Sequence, residues 1–220
     1  VKVEKAMGMK FGDVSNPSTV IGAVGAAREN ARSVRDALSG DVFESLNGAY
    51  LTLTRGLMAA ASPGPSMYRV IERLMVVNGA VEWTMSRDEG HWFLMLGRSL
   101  ERVDMTGRLL EVRHEQLWPD TGPVATLRAA AGLSPFLRTG EAPTGDMVRR
   151  FLVLEPTFPR SMLHSAQQAE EAVRGLQTYG SGADGELVRE VGLMRSRLEF
   201  AGTSDDPGLL DQLAHDTQLS

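Results

Sequence analysis

Apolar residues recur at three- and four-residue steps along most of this 220-residue chain, while the alternation that marks strands is nearly absent. Asn16-Pro17 reads as a cap followed by proline at the first helical position. The helix it opens has the stripe Val20, Val24, Ala27, Ala31, Val34 and Leu38 and ends at Gly40. Asp41 with Glu44 three residues on forms a variant capping box for a second helix through Phe43, Leu46, Tyr50, Leu53 and Leu57. The run SPGP, Ser62 to Pro65, breaks the chain, and a third helix over 66–86 keeps Tyr68, Ile71, Met75, Asn78 and Val81 in step. A fourth runs from His91 to about Leu117, ahead of Pro119. Shorter helices follow over about 124–137 and, capped by Thr144, through Met147 to Leu154. Pro156 and Pro159 mark a break, a long helix runs from Pro159 to Tyr179, GSGAD forms a loop, and a further helix covers 185–200. The expected fold is all-α, a bundle of about eight mostly antiparallel helices. Its expected organisation is a lead-in segment 1–15, a helical domain 16–200 and a C-terminal tail 201–220 with room for one short helix.

The fourth helix carries the chain's most unusual pattern. Phe93, Leu96, Leu100, Val103, Gly107 and Leu110 make its core-facing stripe, yet Arg98, Glu101, Arg102, Asp104 and Arg108 flank that stripe instead of opposing it. A charge drawn into the interior costs several kcal/mol unless it is paired, so partners elsewhere are implied. Asp104 and Arg108 stand at i, i+4, and Glu101 is expected inside, held by a guanidinium from another helix. The first helix offers Arg28, Glu29, Asn30, Arg32 and Arg35, so a layered Arg/Glu/Asn network between the two helices is expected. Arg160 enters at the start of the long helix, where the dipole repels a cation and a neighbouring carboxylate or carbonyl has to hold it. Two readings of these residues stand side by side: a lock that sets helix register, and a pocket for an anionic ligand.

Composition narrows the field. A net charge of −5 argues against a general nucleic-acid or anionic-membrane binder, although local arginines remain able to hold a phosphate or carboxylate. With no cysteine there is no disulfide, thiolate metal site or cysteine nucleophile, which is compatible with the cytoplasm. No apolar run of about 18 residues is present to span a membrane, and the N-terminus lacks a signal-peptide pattern. Glu111 and His114 have the Glu-x-x-His spacing of di-iron bundles, but no second copy accompanies them, and no metal or cofactor is expected. His91, His114, His164 and His215 have no nucleophile motif to serve, and no phosphate-binding glycine loop occurs. Catalysis by the chain alone therefore has no support of its own.

Three segments together resemble a known family: NPSTVIGAVGAARENARSVR (16–35), WFLMLGRSLERVDMTGRLL (92–110) and FLVLEPTFPRSM (151–162), with FESLNGAY (43–50) also fitting. The chain is similar, over about 13–200, to the alpha-E family, bacterial all-helical domains named for a Glu-Arg motif. One difference is that residues 1–15 lack the first copy of that motif, so the chain is expected to be truncated at its N-terminus or cut from a fusion. The resemblance implies work beside circularly permuted ATP-grasp ligases and transglutaminase-like proteins, in synthesis or modification of peptides or amide bonds. The motif residues it implies are Arg98, Glu101, Arg102 and Arg108, with Arg28, Glu29, Asn30, Arg32 and Arg160 as the other matching polar positions. The expected function is an accessory or binding domain acting with an ATP-grasp-type partner and a peptide. An enzyme using an Arg/Glu/Asn pocket, or a purely structural assembly domain, is the alternative.

Overall fold

The computed structural model describes residues 16, 19–59, 63–112, 120–180 and 185–201. These form nine α-helices and no strand: α1 (Val20–Ser33), α2 (Gly40–Ala59), α3 (Pro63–Thr84), α4 (Glu89–Glu111), α5 (Gly122–Ala129), α6 (Leu133–Leu137), α7 (Gly145–Leu154), α8 (Met162–Gln177) and α9 (Gly185–Ala201). The all-α bundle expected from the periodicity is what the chain adopts. Two compact units divide it, Val1–His91 and Trp92–Ser220, and the division falls in the first turn of α4.

In the first unit, Thr19 caps α1, its hydroxyl accepting the Gly22 amide at 3.0 Å, so the cap is not Asn16. The helix stops at Ser33, short of the expected Gly40. There the Ser33 hydroxyl donates to the Asn30 carbonyl at 2.7 Å, and Arg35–Ala37 tighten into a 3₁₀ turn. The expected Asp41–Glu44 capping box is absent too; Ser39 Oγ accepts the Val42 amide at 3.3 Å, and both carboxylates are exposed. Pro63 and Pro65 stand in the first turn of α3, where a missing N–H costs nothing, so SPGP starts a helix as well as ending one. Ile21, Val24 and Ala31 pack with Leu46, Leu53 and Val70, and Phe43, Tyr50 and Val77 close the edges. The stripe expected for α3 holds at Val81, which is buried, but not before it: Val70 is buried instead, whereas Tyr68 is 74% and Met75 67% exposed.

In the second unit, Phe151 is the centre of an aromatic trio. It stacks on Phe158 with centroids 4.9 Å apart and meets Phe136 edge-on at 5.3 Å. Val103, Leu110, Leu127, Leu152, Met162 and Leu198 complete this core. A second cluster joins Leu96 of α4 to Ala169, Ala172, Val173 and Leu176 of α8 and Val191 of α9, with Trp92 against it. The single helix expected over 124–137 divides at Ala131, whose φ of 53° ends α5 before Gly132 leads into α6. Thr144 caps α7 as expected, accepting the Met147 amide at 3.3 Å. The long helix begins at Met162, not Pro159, because Ser161 is its cap. Glu170 binds Arg174 at 3.1 Å and Arg195 at 2.8 Å, pinning α8 to α9, and Arg195 also pairs with Glu199.

Candidate functional site: arginines on the fourth helix

Arg98, Arg102 and Thr106 follow one another at four-residue steps and so share one line along α4. That line meets the turn between α7 and α8. Arg102 donates from Nη1 to the Pro159 carbonyl at 3.2 Å, and the Thr106 hydroxyl donates to the Arg160 carbonyl at 3.1 Å. The turn is itself tightly held. Ser161, fully buried, donates its hydroxyl to the Glu155 carbonyl at 2.6 Å and accepts the His164 amide at 3.0 Å. The His164 ring lies 2.8 Å from the Pro156 carbonyl, and the Thr157 amide donates to Glu155 Oε1 at 3.1 Å. The Arg160 backbone is thus fixed while its side chain stays exposed.

The electrostatics of this line are one-sided. Burial of the Arg102 guanidinium, together with the positive charges of Arg98 and Arg160, holds its pKa below the usual arginine value. Among the described residues no carboxylate lies in ion-pair contact with Arg102 or Arg160. The expectation that a carboxylate or carbonyl pins the Arg160 side chain is therefore corrected. Its carbonyl, not its guanidinium, is what α4 holds.

Glu101 is also corrected. It is exposed and makes no hydrogen bond or close ion pair among the described residues, although its charge reaches Arg108. The interior carboxylate of α4 is Asp104. Its side chain is 7% exposed; Oδ2 takes Arg108 Nε at 2.7 Å, and Oδ1 has no partner among the described residues. The hydrogen bond and charge of Asp104 raise the Arg108 pKa. The expected i, i+4 pair is present; the expected role of its neighbour is not.

Within the first unit, the polar side chains of the first helix make local contacts. Arg28 donates to Asn47 Oδ1 at 2.7 Å, pairs with Glu29 at 2.5 Å and lies 5.2 Å over the Tyr50 ring. Glu29 also reaches Arg32 at 3.8 Å, and Asn30 is exposed. Of the nine candidate residues, Arg98, Arg102 and Arg160 share one neighbourhood within the second unit, and Arg28, Glu29 and Arg32 lie together within the first. Sequence reasoning missed Thr106, whose four-residue step from Arg102 was the available signal, and the Pro159 carbonyl, which had none.

Beside the arginines runs a groove of about 370 Å³, lined by Phe151, Phe158, Pro159, Glu155, Arg138 and Thr139. A wider one of about 580 Å³ lies across Thr139 and Phe151 toward Met147 and Gln167. Among the described residues no three His, Asp or Glu side chains are grouped to hold a metal ion. His114 lies outside the described residues, so the Glu111–His114 spacing receives no geometry. No described helix is long and apolar enough to cross a membrane.

No curated protein and no solved structure gives a match to this chain. A family model does, over residues 2–219: Alpha-E, described as a predicted alpha-helical domain with a conserved ER motif. The Glu101-Arg102 step supplies such a pair at the centre of α4, its arginine on the turn before α8 and its glutamate in solvent. With the match covering nearly the whole sequence, the chain belongs to the Alpha-E family.

Proposed function

We propose that this is a non-catalytic binding domain of the bacterial cytoplasm, which holds the anionic end of a peptide for an ATP-grasp-type ligase in peptide or amide-bond synthesis. The observation that carries the reading is the convergence of Arg98, Arg102 and Arg160 with no carboxylate in contact with the last two among the described residues. Guanidinium groups so placed repel one another, and an incoming carboxylate relieves that repulsion while accepting paired N–H bonds. Fixing the backbone of Arg160 while leaving its side chain in solvent is the arrangement a recognition residue needs. The ligase as partner comes from the family resemblance and the peptide from that setting; the arginines supply the chemistry that would read it.

The test is ligation by a reconstituted system, meaning this full chain with an ATP-grasp-type ligase. Arg160→Gln and Arg102→Gln are each expected to lower product formation about tenfold or more, the scale of one charge-assisted contact. Arg160→Gln should do so with an unchanged melting temperature. Full activity in both variants overturns the proposal.

A further inference from the structure

The smaller groove has a property beyond volume: side chains of opposite charge, Arg138 and Glu155, both line it. Pro159 lines the groove and also supplies the carbonyl that Arg102 grips, so one residue links the groove to Arg102 and, next in sequence, to Arg160. The apolar part of its lining includes the stacked Phe151 and Phe158 with Pro135. Glu155 also lines it, with Oε1 occupied by Thr157 and Oε2 without a hydrogen-bond partner among the described residues. At about 370 Å³ the space is near the lower end of the range for small-molecule sites, enough for one large side chain and its backbone.

We propose that this groove receives the C-terminal residue of a peptide, its carboxylate on Arg102 and Arg160, its side chain against Phe151 and Phe158, and a backbone N–H on Glu155. The proposal rests on the arginine reading above and adds to it the class of ligand. Charge complementarity decides the occupant. A phosphate ester or nucleotide extended along the groove places further negative charge next to Glu155, whose carboxylate opposes it. A peptide end offers one negative group, N–H donors and an apolar side chain, and the groove and its neighbours offer cations, an acceptor and aromatic rings. Arg138, on the lining itself, adds a third cation.

Isothermal titration of the full chain tests this with three probes: acetyl-Ala-Ala-Phe with a free carboxylate, the same peptide as its C-terminal amide, and acetyl-Ala-Ala-Ala. The amide should bind at least tenfold more weakly than the acid, and the alanine peptide three- to tenfold more weakly than the phenylalanine one. Pro135→Trp fills the groove at a residue with no backbone N–H to lose; Thr139→Trp fills it from the other wall. Each should abolish the preference for phenylalanine while keeping the affinity for the alanine peptide. Equal binding of the two acids, or an unaltered preference in both tryptophan variants, overturns the groove assignment. If acid still exceeds amide and Arg160→Gln still erases that difference, the arginine reading survives its loss. If acid and amide bind alike, both fall. Failure of every peptide to bind at millimolar concentration also overturns the groove, and the ligation assay then judges the arginines alone.

Discussion

A β-carbon built on Gly175 would lie 2.4 Å from the Trp92 indole. Backbone and ring are therefore in direct contact where Leu176 of α8 packs with Leu96 of α4. Gly175→Ala gains about 1 kcal/mol of helix propensity but forces a rigid ring aside, at a cost of about 1–3 kcal/mol. The clash wins, and denaturant unfolding should show a net loss. In a Trp92→Ala background the same change should turn stabilising; a loss that persists there would mean the indole is not the obstacle.

Asp104 and Arg108 are an asymmetric pair, one buried and one in solvent. Removing the arginine strands a buried carboxylate, whereas removing the aspartate frees an arginine already wet and deletes an unsatisfied oxygen. Arg108→Ala is therefore expected to destabilise more than Asp104→Ala, with the double variant close to Asp104→Ala. Equal single-variant losses would count against this account.

Glu101→Gln should leave the melting curve within about 0.5 kcal/mol of the parent, the range for surface changes without a partner. A larger fall would return Glu101 to a structural role.

Ser161→Ala removes the cap of α8 and a bond to the Glu155 carbonyl together. The expected loss is about 1–2 kcal/mol. Because that hydroxyl ties both ends of the turn beneath Arg160, peptide affinity should fall with it. Retained affinity in the folded variant would show that the turn does not need the tie.

Ala131 adopts a left-handed φ of 53° without being glycine. That conformation costs a side-chain-bearing residue about 1–2 kcal/mol, while glycine adds about 0.5–1 kcal/mol of unfolded-state entropy. Ala131→Gly should accordingly stabilise by about 0.5–1 kcal/mol in chemical denaturation, and a destabilised variant would contradict the assignment.

Where these residues differ in legibility, the reason is physical. Helix positions were readable because apolar residues at three- and four-residue steps have to share a face. Thr144 was readable because its local hydrogen bond depends on its own neighbours alone. The phase of α3 was not: MYRVIERLMVV satisfies the template through Tyr68, Ile71 and Met75 as well as through Val70 and Val77, and only packing chooses. Glu101 and Asp104 stand three residues apart on one side of α4, so the pattern alone assigned the interior position to the wrong carboxylate. The Arg98–Arg102 spacing was visible, but Arg160 joins them through carbonyl contacts 54 and 57 residues away in sequence, which side-chain pattern does not encode. Gly175 carried no signal at all, since its obstacle is a ring from another helix.

The contact between Arg102 and the Pro159 carbonyl has a thermodynamic consequence. A free arginine gives up about 2 kcal/mol of rotamer freedom when a ligand immobilises it. Here one of five N–H donors is already engaged, so part of that freedom is lost on folding, and the remaining donors meet an anion with the side chain restrained. Lysine, with a single ammonium on a flexible stem, would have to divide one group between carbonyl and ligand.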